Sequence, residues 1–159
     1  MLTDQQNQRV TLTGLGTPAG ALLRQYWQPV ALTEELHGER PAVAVKVLGE
    51  DLVLYREENN GYALIGRRCP HRGADLSYGR LEDGGLRCPF HGWLFNGQGL
   101  CLEQPAEPAD AKFCDQVRQS SYPCVEKNGI IYGYLGSHAP PPLPGFDWHD
   151  APPSHCFVF

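Results

Sequence analysis

The chain has 159 residues, 42% hydrophobic and 19% charged, which suits one folded core rather than two full-sized domains. A formal net charge of −5 argues against nucleic acid as a partner. No stretch approaches the roughly 20 apolar residues that cross a bilayer, so no membrane role is expected. The start, Met1 to Val10, is polar and lacks the apolar segment of a secretory signal, which favours a cytoplasmic location and reduced cysteines.

In chain order, Thr17 followed by Pro18 reads as an N-cap with proline in the first turn of one short helix, whose apolar residues Leu22, Leu23, Tyr26 and Trp27 face the domain. Tyr26 to Ala31 then reads as an opening strand. Ala42 to Leu48, a turn at Gly49-Glu50-Asp51, and Leu52 to Arg56 read as a hairpin, rich in β-branched residues between turn formers. After the turn Asn59-Asn60-Gly61, a strand from Tyr62 to Gly66 leads into Cys69. Leu76 to Arg80 and Leu86-Arg87 read as short strands joined at Glu82 to Gly85, and Trp93 to Phe95 as another. Val117 to Glu126 and Ile130 to Leu135 form a closing hairpin around Asn128-Gly129, a strong two-residue turn signal. Residues 139–144, Ala-Pro-Pro-Pro-Leu-Pro, read as an extended arm. The expected fold is all-β, with antiparallel sheets.

Two of the connections carry chemistry. Cys69-Pro70-His71-Arg72-Gly73 and Cys88-Pro89-Phe90-His91-Gly92 each offer one thiolate and one imidazole, with sixteen residues between His71 and Cys88. Thiolates suit zinc or iron-sulfur centres, and imidazole suits zinc and iron. A zinc finger places its cysteines together on one turn, whereas here each loop pairs one Cys with one His. Proline after each cysteine and glycine after each histidine permit tight loops around a bulky inorganic group. A zinc-binding interaction module stays open as an alternative on these residues.

This pattern, Cys-x-His, sixteen residues, Cys-x-x-His, resembles the Rieske motif. The resemblance implies a 2Fe-2S cluster with Cys69 and Cys88 on one iron and His71 and His91 on the other. Replacing two thiolates by neutral imidazoles removes negative charge and raises the potential above that of four-Cys clusters. In high-potential Rieske proteins an extra Cys in each loop, a Ser and a Tyr surround the cluster. Here Ala74, Phe90, Trp93 and Phe95 occupy those places, so fewer donors reach the sulfurs and a potential low in the Rieske range is expected. Arg72 and Trp93 are candidates to flank the cluster, and Asp75, Tyr78 and Arg80 to brace the loops or steer a partner.

The aromatic-Trp-x-Pro-Val entry at Tyr26 to Val30 is similar to the start of ring-hydroxylating oxygenase α subunits of the phthalate or phenoxybenzoate dioxygenase type. That likeness implies a Rieske fold with a small cluster-binding subdomain in residues 1–136, its core at about 26–136. It also implies a tail, 137–159, that begins an absent catalytic domain. The implied function is electron relay from a reductase or ferredoxin to a mononuclear iron domain, with no catalytic residue of its own here and a homotrimer only in a full-length form. A stand-alone Rieske ferredoxin is the alternative. His149, Asp150, His155 and Asp147 lack the spacing of a two-His, one-carboxylate iron site and are not expected to form one. Cys101, Cys114, Cys124 and Cys156 are expected as isolated reduced thiols.

Overall fold

A computed structural model describes residues 1–36, 41–105, 107–108 and 113–155. The strands are β1 (Gln28–Leu32), β2 (Ala42–Val47), β3 (Glu50–Arg56), β4 (Tyr62–Gly66), β5 (Arg80–Glu82), β6 (Gly85–Arg87), β7 (Leu94–Phe95), β8 (Cys101–Glu103), β9 (Ser121–Tyr122), β10 (Cys124–Lys127) and β11 (Ile130–Gly133). They form three antiparallel sheets, in the orders β1-β11-β10, β2-β3-β4-β9 and β5-β6-β7-β8. The fold is therefore mostly β, as the sequence predicts.

The β2-β3-β4-β9 sheet lies between two cores because successive side chains of a strand point to opposite faces. Val53 and Tyr55 of β3, with Ala63 and Ile65 of β4, pack with Cys69, Cys88, Trp93 and Phe95. Leu52, Leu54 and Leu64 face the other way, onto Ile131 and Leu135. Covered on both sides, β3 reads as an unbroken apolar run, Leu-Val-Leu-Tyr, rather than an alternating one. Cys69 and Cys88 thus sit in the same core that holds the middle sheet.

Three hairpins close through two residues of positive φ, Leu48-Gly49, Asp83-Gly84 and Asn128-Gly129, as tight turns between right-twisted strands require. The first turn lies one residue earlier than the sequence suggests. Pairing of Val47 with Glu50 aligns Val45 with Leu52, and this forces Leu48 into the left-handed region. Leu76–Tyr78 is a 3-10 turn instead of a strand, because the Asp75 carboxylate accepts from the Ser77 amide and hydroxyl and caps it. The strand expected over Val117 to Glu126 is split at Pro123, which has no N–H to donate. Ser121–Tyr122 pairs with β4, and Cys124–Lys127 crosses to β11.

There are two helices among the described residues where the sequence suggests one. α2 (Pro18–Leu23) has its N-cap at Thr17, as expected. α1 (Asp4–Thr11) buries no residue and forms through a reciprocal cap, the Thr3 amide donating to the Gln6 side chain and the Gln6 amide to the Thr3 hydroxyl. No helix among the described residues is long and apolar enough to cross a membrane.

The proline-rich arm is not free. Trp27 Nε1 donates to the Pro141 carbonyl at 2.8 Å, and the following 3-10 turn, Asp147–Asp150, places buried His149 3.2 Å from the Tyr132 hydroxyl. The run from Cys156 to Phe159 lies outside the described residues.

Candidate metal centre

The two Cys-His loops share one backbone design. In the first, the Cys69 amide donates to the Ala74 carbonyl and the Gly73 amide to the Cys69 carbonyl, both at 2.8 Å. In the second, the Cys88 amide donates to the Trp93 carbonyl at 2.8 Å and the Gly92 amide to the Cys88 carbonyl at 3.2 Å. Gly73 and Gly92 stand at the corresponding turn position with φ of 71° and 75°, a conformation that glycine adopts without Cβ strain. Each loop therefore presents its cysteine at the base and its histidine at the rim.

Seen together, the four side chains resolve into two pairs. Cys69 and Cys88 are buried in one core cluster. His71 and His91 are half-exposed with ring centroids 4.6 Å apart. Among the described residues no three His, Cys, Asp or Glu side chains gather around one metal-ion position. A buried sulfur pair and a half-exposed imidazole pair suit a binuclear centre with unlike ends. The donor set fits a 2Fe-2S cluster with two thiolates and two imidazoles.

Burial, countered first by the His71 amide, pushes the Cys69 thiol up to about 11; neighbouring Cys88 adds to the rise, and the Arg72 amide opposes it. A metal must displace that proton to bind. His91 lies below its usual range through desolvation, then through its neighbours His71 and Arg72. Arg72 is exposed, and its guanidinium acts on His91 by charge.

The surroundings are apolar where sequence comparison with high-potential clusters suggests they should be. Trp93 and Phe95 are buried, Ala74 packs against the same core, and Phe90 is exposed with its ring 3.9 Å from that of His91. Trp93 stacks flat on His71, centroids 4.6 Å apart and planes within 5°. It covers one imidazole while Phe95 seals the core behind it.

Two arginines, neither singled out by the sequence, hold the loops. Arg67 donates from Nε (2.8 Å) and Nη2 (2.5 Å) to Asp75 Oδ2, across the base of the first loop. Arg67, with the Ser77 contacts, holds the Asp75 carboxyl well below the usual carboxylate range. Arg87, its side chain 10% exposed, binds Glu103 at 2.6 Å, Asp83 at 3.3 Å and Glu82, and donates from Nη1 to the Gly92 carbonyl at 2.7 Å. That last bond ties the arginine directly to the second loop. Of the residues flagged for bracing, Asp75 braces the first loop, Arg80 pairs with Glu82 at 3.4 Å, and Tyr78 is exposed. The cysteine expectation needs one correction. Cys101 and Cys114 are not isolated, because strand β8 and the turn after it bring their sulfurs to 2.8 Å.

Known proteins are similar to this chain over most of its length. The 5,5′-dehydrodivanillate O-demethylase oxygenase subunit of Sphingobium sp. is 42% identical over 153 residues, which cover 93% of this chain and 35% of that protein. The phenoxybenzoate dioxygenase subunit alpha of Ectopseudomonas oleovorans is 46% identical over 133 residues, or 83% and 32% of the two chains. The structure of dicamba monooxygenase with non-haem iron and dicamba superposes with a TM-score of 0.68 at 33% identity, covering 83% of this chain and 40% of that one. The chain thus spans about a third of the length of these curated relatives. With the Rieske [2Fe-2S] domain matching residues 26–123, the chain belongs to the Rieske family and carries that family's type of cluster.

Proposed function

We propose that Cys69 and Cys88 hold one iron of a 2Fe-2S cluster and His71 and His91 the other, and that residues 1–136 form the electron-carrying unit of a ring-hydroxylating oxygenase. The observation that carries the reading is the split of four donors into a buried sulfur pair and a half-exposed imidazole pair on two loops of one design. When bound, such a cluster takes up and passes on one electron at a time.

The chain's own residues set the conditions for that exchange. Buried Cys69 and Cys88 keep water from the sulfur end. His71 and His91 stand at the rim, where a ring nitrogen not used by a bound iron would be free to donate to a partner's carboxylate. Trp93 fixes the plane of His71. Because Ala74, Trp93 and Phe95 offer no hydroxyl to the sulfurs, a bound cluster would find fewer donors when reduced, which supports a potential low in the Rieske range. The donor is a reductase or ferredoxin, and the acceptor a mononuclear iron domain of the kind that dicamba monooxygenase holds as non-haem iron.

Anaerobic purification followed by metal analysis and stoichiometric reduction tests this. The expected result is about two irons, about two acid-labile sulfides and one accepted electron per chain. A colourless protein holding one zinc, with no sulfide, would establish the interaction-module alternative instead.

A further inference from the structure

Outside the metal loops, the described residues bring a second pair of sulfurs together. Cys101 opens β8 and Cys114 opens the 3-10 turn Cys114–Gln116, and their sulfurs lie 2.8 Å apart, both half-buried. A covalent S–S bond is about 2.05 Å, so closure needs less than about an ångström of sulfur movement. Both backbones are fixed. Cys101 pairs with Phe95 across the sheet, and the turn at Cys114 packs on β8 and is closed by the Val117 amide donating to the Cys114 carbonyl at 3.1 Å.

Two described residues near the pair, Pro105 and Phe113, touch the residues around the Cys-His loops. Pro105 lies so close to Gly92 that a Cβ there would meet its Cγ at 3.3 Å. Phe113, next to Cys114, meets Trp93 edge-on with centroids 6.1 Å apart, and Trp93 stacks on His71. Whatever holds Cys114 to β8 therefore holds Phe113 against the ring that covers a ligand.

We propose that Cys101 and Cys114 are a peroxide-oxidisable thiol pair that closes to a disulfide and ties Phe113 and Pro105 down beside Trp93. Burial, and then neighbouring Cys114, push the Cys101 thiol up to about 12, so Cys101 is not the first to react. Cys114 attacks hydrogen peroxide instead. Its sulfur gains an oxygen to become a sulfenic acid, the O–O bond breaks, and water leaves. Cys101 then attacks the sulfenic sulfur. The S–S bond forms, the S–O bond breaks, and the departing hydroxide takes the Cys101 proton as a second water. Two thiols and one peroxide yield one disulfide and two waters.

The test is peroxide treatment of the holoprotein, alkylation of remaining thiols, and mapping of chymotryptic peptides, which separate Cys88 from Cys101 at Trp93 and Phe95. Wild-type protein is expected to lose alkylation at both cysteines and give a Cys101–Cys114 cross-linked pair lighter by two hydrogens. Cys114→Ser should leave Cys101 fully alkylatable, and Cys101→Ser should leave Cys114 as a sulfenic acid that dimedone traps. Wild-type protein whose two thiols stay as alkylatable as in untreated samples overturns the proposal. So does a stable sulfenic or sulfinic acid on Cys114 beside a free Cys101, or a cross-link to Cys124. These outcomes are read in the wild type, so they stand even where a variant does not fold, and they do not depend on which metal the loops hold.

Discussion

Replacing Asp75 by Asn isolates the brace under the first loop. The carboxylate accepts four hydrogen bonds, two from Arg67 and two from Ser77, with its side chain 15% exposed. Asparagine keeps an oxygen for Ser77 but turns an amide donor, or a neutral oxygen, toward Arg67. Charge-assisted hydrogen bonds contribute about 1.5–3 kcal/mol each, and Arg67 keeps some hydration, so a loss of about 2–3 kcal/mol is expected near pH 7. The pH sign follows from the depressed carboxyl. The contribution of ionised Asp75 is full above its ordinary value of 3.8 and is lost as pH falls toward its lower folded value. The stability gap between wild type and Asp75→Asn should therefore narrow progressively below about pH 4. Urea unfolding of the full chain, followed by far-ultraviolet circular dichroism from neutral to acid pH, measures it. Equal stability at neutral pH, or a gap that stays constant into acid, refutes the reasoning.

Arg87→Met removes the only guanidinium bonded to the Gly92 carbonyl among the described residues and leaves Glu82 and Glu103 without their shared cation. It should cost about 2–4 kcal/mol and speed iron loss to a chelator, whereas wild-type retention of iron would separate the arginine from the second loop. Trp93→Ala should cost about 3–5 kcal/mol in the same unfolding assay and expose His71 to solvent. Trp93→Phe, which keeps a ring over His71, should recover most of that loss, and an Ala variant as stable as wild type would show that the stack contributes little.

The parts of the molecule legible in the sequence are those fixed by neighbours along the chain. The spacing of Cys69, His71, Cys88 and His91, the Thr17-Pro18 start of α2 and the Asn128-Gly129 turn each follow from local residue chemistry. Other features depend on which strands meet. Arg67 and Arg87 look like ordinary surface arginines until the Arg68–Asp75 bridge and the β6-β7 pairing bring their partners near. Cys101 and Cys114 look scattered until the chain returns across β8. Two misses did leave a signal. Thr3 and Gln6 spell a capping box, hidden because α1 has no apolar face, and Pro123 marks where one apparent strand changes sheets.

The unlike ends of the metal centre are tested most directly by pulsed electron paramagnetic resonance of the dithionite-reduced holoprotein. Two imidazole ligands predict hyperfine coupling from two nitrogens bound to iron and an average g value below that of an all-thiolate cluster. A reduced-cluster spectrum with no such nitrogen coupling, or one that is unchanged in His71→Ala and His91→Ala, would contradict the assignment.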